Sequence, residues 1–463
     1  MRLLRGDAVN KLYFERALLA EGWRRDVLLT LAGPTIAAIE ADVSAPPDAA
    51  RMGGIAVPGI PNVHSHAFQR AMAGLAERRG PEDDTFWTWR DVMYRFLAHM
   101  SPDDIEAVAG LAYVEMLESG FTRVGEFHYL HNAPDGSGYA DPAEMAGRII
   151  AAASESGIGL TLLPCFYAHG GCGGKPATPA QARFLADLDG FARLVEASAR
   201  HLRQLDGARL GIAPHSLRAV DAEELDELVR MCPSGPIHLH AAEQALEVEE
   251  CLAWCGARPV EWLLDNLPIG ERWCLIHCTH MTHLETQRLA RSGAVVGVCP
   301  ITESNLGDGI FPAVEFERAG GRYAIGTDSN VRIAANEELR TLEYSQRLRD
   351  QGRNRLGADG SSTGRALVEA ACAGGMRALG LNGSVSGLAA GQRADIVVLD
   401  LSQPALVGRG GDALLDTWIF AAGEVVSDVF VSGRHVVVDG RHTRAEDVRA
   451  RYAETAQRLL QKL

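Results

Sequence analysis

Val63-His64-Ser65-His66 sets two imidazoles two positions apart. In an extended strand such residues project to the same side, so both rings can converge on one ion. A lone His-x-His pattern is weak, because two polar loop residues look the same. Three further stretches repeat the chemistry. His238-Leu239-His240 is followed by Glu243, His277 ends the β-rich run Trp273–Cys278, and Asp328 follows Gly326-Thr327. His64, His66, His240 and Asp328 together are a sensible donor set for one hydrolytic divalent ion per chain, with a position left open for water. Zinc is the first choice and iron the alternative. Of the second histidine pair, His240 is the expected ligand because of its spacing to Glu243, and His238 reads as a hydrogen-bonded structural residue.

Such an ion lowers the pKa of bound water from about 15.7 to roughly 7 and makes hydroxide available at neutral pH. Attack on an sp² carbon then needs a proton acceptor, a donor for the leaving group and a group facing the developing charge. Asp328 is expected to receive the water proton, Glu243 to protonate a substrate nitrogen, and His277 to orient the attacking oxygen. Taken alone, Glu243 would be a solvated residue in the first turn of a helix. Its place among ligands that all end strands favours a catalytic reading.

Something must bring these distant residues together. Eight short β-rich runs alternate with helical periodicity: Ile55–Asn62, Arg123–Tyr129, Gly159–Phe166, Arg209–His215, Pro236–His240, Trp273–Cys278, Ala294–Cys299 and Tyr323–Thr327. Amphipathic stretches, among them Asp103–Ser119, Thr178–Gln204, Ala222–Met231 and Ala245–Asn266, lie between them. This alternation predicts an α/β fold, a closed (β/α)₈ barrel with its chemistry at the carboxyl ends of the strands. An open doubly wound sheet would want a Gly-x-Gly-x-x-Gly turn after an early strand, and none occurs. Short strands before residue 55 and after residue 383 are each too few for a core of their own. The expected organisation is a barrel over 57–382, a small β-sandwich built from 1–56 and 383–443, and a closing helix over 444–463.

The 463 residues carry a formal net charge of −15 with no basic tract, which disfavours nucleic acid and acidic membranes as partners. No apolar run reaches the roughly 18 residues of a membrane span, and polar residues interrupt the N-terminus where a secretory signal would need an apolar stretch. Nine cysteines without a CxxC pair fit neither a zinc ribbon nor a disulfide framework. The expected setting is the reducing cytoplasm.

The pattern of His-x-His after the first strand, His after the fifth and sixth, and Asp after the eighth resembles the amidohydrolase superfamily. The segment Leu388–Val398 is similar to that superfamily's returning β-strand region. Its dinuclear members use a carboxylated lysine at the end of the fourth strand. Here the lysines are Lys11, Lys175 and Lys462, and the fourth strand ends in Ala213-Pro214-His215, so the resemblance implies a single ion.

Within the superfamily, the runs Pro58–Gly80, Phe86–Phe96, Gly125–Gly136, Gly211–Val220 and His238–Gln244 resemble the formimidoylglutamate deiminase family. That resemblance implies hydrolysis of N-formimidoyl-L-glutamate to N-formyl-L-glutamate and ammonia in histidine degradation, by a homodimer. It also implies substrate contacts from Gln69, Arg90, Tyr129, His215 and Arg218. A small dicarboxylate amidine calls for arginine donors, and Arg90 and Arg218 would supply them at about 1.5–3 kcal/mol per charge-assisted contact. Three rivals are a deaminase for guanine or a nucleoside-like heterocycle, a barrel retained for assembly without catalysis, and hydrolysis of the formimidoyl-aspartate analogue.

Overall fold

The computed structural model describes residues 10–79, 84–381 and 387–462; the expected boundary at 382–383 and the first nine residues lie outside the described residues. Two parallel sheets carry the middle of the chain. One contains Ile60–Ser65, Phe121–His128 and Gly159–Phe166, followed by the short pieces Arg209–Leu210 and Ala213–Pro214. The other contains Ile237–Ala241, Trp273–His277, Val295–Val298 and Arg322–Ile325. Parallel bridges between Ser65 and Asp328, and between Ile212 and Ile237, tie the two sheets together at both margins. Nearly every residue of these strands is buried, as expected when helices cover one face and side chains fill the other. This is an α/β barrel-type fold.

Local chemistry explains the helices between the strands. Pro102–Ser119 starts with a reciprocal Ser101–Asp104 capping box and Pro102 in the first turn, and it ends on left-handed Gly120. Ala222–Met231 begins with the same device, made by Asp221 and Glu224.

Several expected elements divide. The run Ile55–Asn62 is two strands: Gly54–Pro58 belongs to a different sheet, and Ile60–Ser65 is the first of the parallel set. The transfer takes one residue. Gly59 donates to the Asp395 carbonyl and Ile60 to the Gly120 carbonyl. A Cβ on Gly59 would lie 2.3 Å from the Thr122 side chain, so only glycine lets the chain pass there. Arg209–His215 is interrupted at Gly211-Ile212, where backbone bonds go to both neighbouring strands. Thr178–Gln204 resolves into a short 3₁₀ turn, Pro179–Gln181, and a helix, Leu188–Leu202. Ala245–Asn266 breaks into Ala245–Cys255 and Pro259–Asn266, because Gly256 is left-handed and Pro259 starts a new helix.

The chain ends meet in one nine-stranded sheet. Its order runs from Arg441–His442 through Arg434–Val438, Val426–Val431, Ile396–Asp400, Gly54–Pro58, Lys11–Leu19 and Gly22–Ala32 to Thr35–Glu40, with Ala50–Arg51 also beside Lys11–Leu19. Leu12, Phe14, Val27, Leu29, Ile396 and Phe430 pack into a core separate from that of the parallel sheets. The helix Ala445–Leu460 lies against Pro102–Ser119 through Val448, Leu111 and Val114.

Candidate active site

The ends of the first and last parallel strands are laced together by side-chain amides. Asn62 donates to Thr327 Oγ1 at 2.7 Å, and Thr327 Oγ1 donates to Asn330 Oδ1 at 2.6 Å. The Asn330 amide reaches Ser65 Oγ and the carbonyls of His66 and Asp328, each at 3.1 Å. The backbone N–H groups of Thr327 and Asp328 both bond to the His64 carbonyl. This lacing holds Asp328 in the left-handed region at φ 45°, which turns its carboxylate toward the histidines. Gly326 makes the approach possible: a Cβ there would lie 2.8 Å from His64 Cβ.

Asp328 Oδ1 is 3.3 Å from His64 Nε2 and 3.4 Å from His66 Nε2, and His240 Nε2 is 3.1 Å from His64 Nε2. Ligand atoms of the three histidines all lie within 4.8 Å of one another. Backbone carbonyls, which can only accept, settle two tautomers. His66 Nδ1–H donates to Phe127 O at 2.8 Å, and His240 Nδ1–H donates to His215 O at 3.0 Å. Both Nε2 lone pairs are therefore free. With His240 Nε2 an acceptor, His64 Nε2 at 3.1 Å shares either a proton or a cation with it.

Burial lowers the His64 pKa to about 3 and moves His66 and His240 down as well, so the imidazoles are neutral. Burial would raise Asp328, but its hydrogen bond to His64 and the surrounding histidines hold it well below the usual carboxylate range. Three neutral imidazoles and an ionised carboxylate at these distances fit one divalent ion. His238 faces elsewhere, donating from Nε2 to the Ala378 carbonyl at 2.8 Å.

Glu243 and His277 stand beside this quartet. His277 Nε2 is 3.7 Å from Glu243 Oε1 and 4.0 Å from Asp328 Oδ2, and it makes no hydrogen bond among the described residues. Burial opposes charge on His277, but Glu243, Glu303 and Asp328 outweigh it and push its pKa up to about 10. Burial raises the Glu243 pKa against the opposing pull of His277 and Arg218.

A cavity of about 270 Å³ opens onto these groups. Ten of the eleven residues singled out from sequence line it: His66, Gln69, Arg90, Tyr129, His215, Arg218, His240, Glu243, His277 and Asp328. His64 sits behind them, fully buried. The Gln69 amide donates to the Tyr129 hydroxyl at 2.8 Å. Arg90 stacks 4.3 Å from the Trp87 ring centre, and Arg218 lies 5.9 Å from the same ring. Both arginines thus face the cavity beneath the helix Phe86–Leu97. His215 joins Nδ1 to Ser216 Oγ at 2.9 Å while its carbonyl holds His240.

Sequence reasoning missed Glu303, Asp308 and Tyr167. Glu303 Oε1 accepts from His277 Nδ1 at 3.2 Å, and Asp308 accepts from the Gln244 amide. Tyr167 lines the cavity with its ring against His215. Tyr167 directly follows the third strand, and that position was a usable signal. Glu303 and Asp308 gave none, because acidic residues in a short polar helix and turn are ordinarily solvated. Glu126 lies on the outer side of its strand, where it accepts from the Ala67 backbone at 2.7 Å and burial pushes its pKa up to about 8.

Residues 55–436 match the family model described as "Amidohydrolase family", and residues 11–53 match "Formimidoylglutamate deiminase HutF, N-terminal domain". The formimidoylglutamate deiminase of Pseudomonas aeruginosa is 50% identical over 95% of this chain and 97% of its own. A 5-methylthioadenosine/S-adenosylhomocysteine deaminase of Natronomonas pharaonis is 31% identical over 86% of this chain and 84% of its own. Among solved structures, an amidohydrolase from Brucella melitensis superposes with a TM-score of 0.94 at 51% identity, covering 97% of this chain and all (100%) of that one. The chain belongs to the amidohydrolase family, on its formimidoylglutamate deiminase branch.

Proposed function

We propose that this chain hydrolyses N-formimidoyl-L-glutamate to N-formyl-L-glutamate and ammonia. One observation carries the reading: two arginines share a cavity with a three-histidine, one-aspartate centre. Half identity over nearly the full length to a formimidoylglutamate deiminase supports the same substrate. A neutral heterocycle would leave half-buried Arg90 without a carboxylate partner and buried Arg218 with only Glu243 beside it. The two substrate carboxylates answer them.

In this reading, His64, His66, His240 and Asp328 hold one divalent ion, for which zinc suits the nitrogen-rich donors. When bound, the ion supplies Lewis acidity and lowers the pKa of water enough for attack at neutral pH. Asp328 takes the proton released as water adds to the formimidoyl carbon. Glu243, whose burial favours the protonated carboxyl, delivers a proton to the amidine nitrogen. The C–N bond breaks as Asp328 passes its proton to the departing nitrogen, ammonia leaves, the hydroxyl proton returns to Glu243, and the former water oxygen remains as the formyl oxygen. His277 directs Nε2 at the developing charge. Gln69, Tyr129 and His215 orient the amidine and glutamyl portions, while Arg90 and Arg218 grip the carboxylates.

The reading includes a closed eight-stranded barrel at 57–382, supported by the bridges at both sheet margins, and a β-sandwich from the two chain ends, supported by their separate core. Nine free thiols, eight of them buried, favour a reducing cytoplasmic setting. No helix among the described residues is long and apolar enough to cross a membrane. The test is ammonia release from N-formimidoyl-L-glutamate compared with guanine. Turnover of the former alone is expected, and turnover of guanine alone would refute the assignment.

A further inference from the structure

Glu303 lies in the short helix Pro300–Leu306, which follows the seventh parallel strand and supplies no ligand to the proposed metal centre. It is nonetheless buried, with 5% of its surface exposed, and faces inward. A single atom, Oε1, accepts two hydrogen bonds: the Cys299 backbone N–H at 2.8 Å and His277 Nδ1 at 3.2 Å. The first fixes the carboxylate against the start of its own helix. The second fixes the ring of His277.

His277 needs such a partner. It is a non-glycine residue at φ 69°, and Cys278 after it is also left-handed, at φ 51°. The backbone is turned sharply where the ring must point into the site, a conformation that persists only when its surroundings over-determine it. Among the described residues, Glu303 is the side chain that holds His277 Nδ1. Because the carboxylate oxygen accepts, Nδ1 carries the proton, and Nε2 is the atom presented to Glu243 and Asp328. A flipped ring would face the reacting groups with the wrong atom.

The same segment has a second arm. The Asp308 backbone donates to the Glu303 carbonyl at 2.9 Å, and its carboxylate accepts from the side chain of Gln244, the residue next to Glu243. One short stretch after the seventh strand therefore contacts His277 directly and, through Asp308, the residue next to Glu243.

We infer that Glu303 is a positioning residue that sets the ring orientation of His277 through the single oxygen shared with the Cys299 backbone. This rests on the functional reading above, with His277 acting on the substrate.

Two substitutions separate position from charge. Glu303→Gln keeps an oxygen able to accept both bonds but removes the charge. Glu303→Asp keeps the charge but withdraws the oxygen by one methylene. With N-formimidoyl-L-glutamate, Glu303→Asp is expected to lower kcat about 10–100-fold, the range typical of such supporting partners, with KM and bound metal unchanged. Glu303→Gln should stay within about fivefold of wild type, since a neutral acceptor makes a weaker bond of the same geometry. In crystals of the metal-loaded variants, the His277 ring should turn in Glu303→Asp and hold its place in Glu303→Gln. The inference is overturned if Glu303→Asp is as active as wild type, if Glu303→Gln is the worse of the two, if the loss appears in KM, or if the ring is unmoved in Glu303→Asp. Wild-type protein that releases no ammonia would refute the functional reading instead, and the crystal comparison would still decide the role of Glu303.

Discussion

The Arg218 guanidinium lies 3.2 Å from Glu243 Oε2, and the other oxygen of that carboxylate faces His277 Nε2 at 3.7 Å. All three side chains are buried. An arginine proposed to read the substrate therefore also holds the carboxylate proposed to deliver a proton, so in this reading recognition and chemistry meet in one residue.

Arg90 provides the contrast. It stacks on Trp87 and Tyr94 and lines the cavity without contacting Glu243. Arg90→Gln should raise KM about 10–100-fold and spare kcat, the cost of one charge-assisted contact. Arg218→Gln should raise KM and also lower kcat, because Glu243 loses its anchor. Steady-state kinetics on both variants check this, and identical kinetic patterns would contradict it.

Glu243→Gln preserves shape and removes the transferable proton. Turnover should fall at least about 100-fold while the protein still binds one ion, as general acid–base groups typically contribute 10²–10⁴. Parallel ammonia and metal assays test it. Loss of the ion together with activity would make Glu243 a ligand rather than a proton carrier.

Gly326 is a structural control. A Cβ would sit 2.8 Å from His64 Cβ and 2.9 Å from the His64 carbonyl. Gly326→Ala should cost about 1–3 kcal/mol of stability through overpacking and should weaken metal retention by displacing His64. Chemical denaturation and metal analysis after dialysis report the two effects.

Acid should loosen the C-terminal helix through Asp104. Burial would raise this carboxyl, but the hydrogen bonds from Arg458 and Ser101 outweigh it and hold its pKa below the ordinary value of 3.8. A depressed folded-state pKa stabilises fully above the unfolded value and is lost as pH falls through the folded value. The stability gap between wild type and Asp104→Asn should be constant above pH 3.8 and narrow below it, as measured by denaturation at a series of pH values.

Much of this site was legible in the sequence, for a geometric reason. His64 lies on the first parallel strand and His66 just past its end, and His240, His277 and Asp328 each fall near a strand end, so the shared carboxyl end of the strands brings them together. Gln69 and Arg90 sit on connecting helices and Arg218 in a turn, where the strand period does not set direction, and only the family resemblance singled them out. The split of Ile55–Asn62 was hidden because Gly54–Pro58 and Ile60–Ser65 are both fully buried, so their apolar character runs unbroken across the change of sheet. Glu303 and Asp308 were hidden because burial, not residue type, makes them informative.

Metal content and ammonia release measured on the same sample, before chelation, after it and after zinc is restored, test the central claim most directly. The account predicts one ion per chain, abolition of N-formimidoyl-L-glutamate turnover when it is removed, recovery on reloading, and failure to reload in His66→Ala or Asp328→Ala. Undiminished turnover by verified metal-free protein would contradict it.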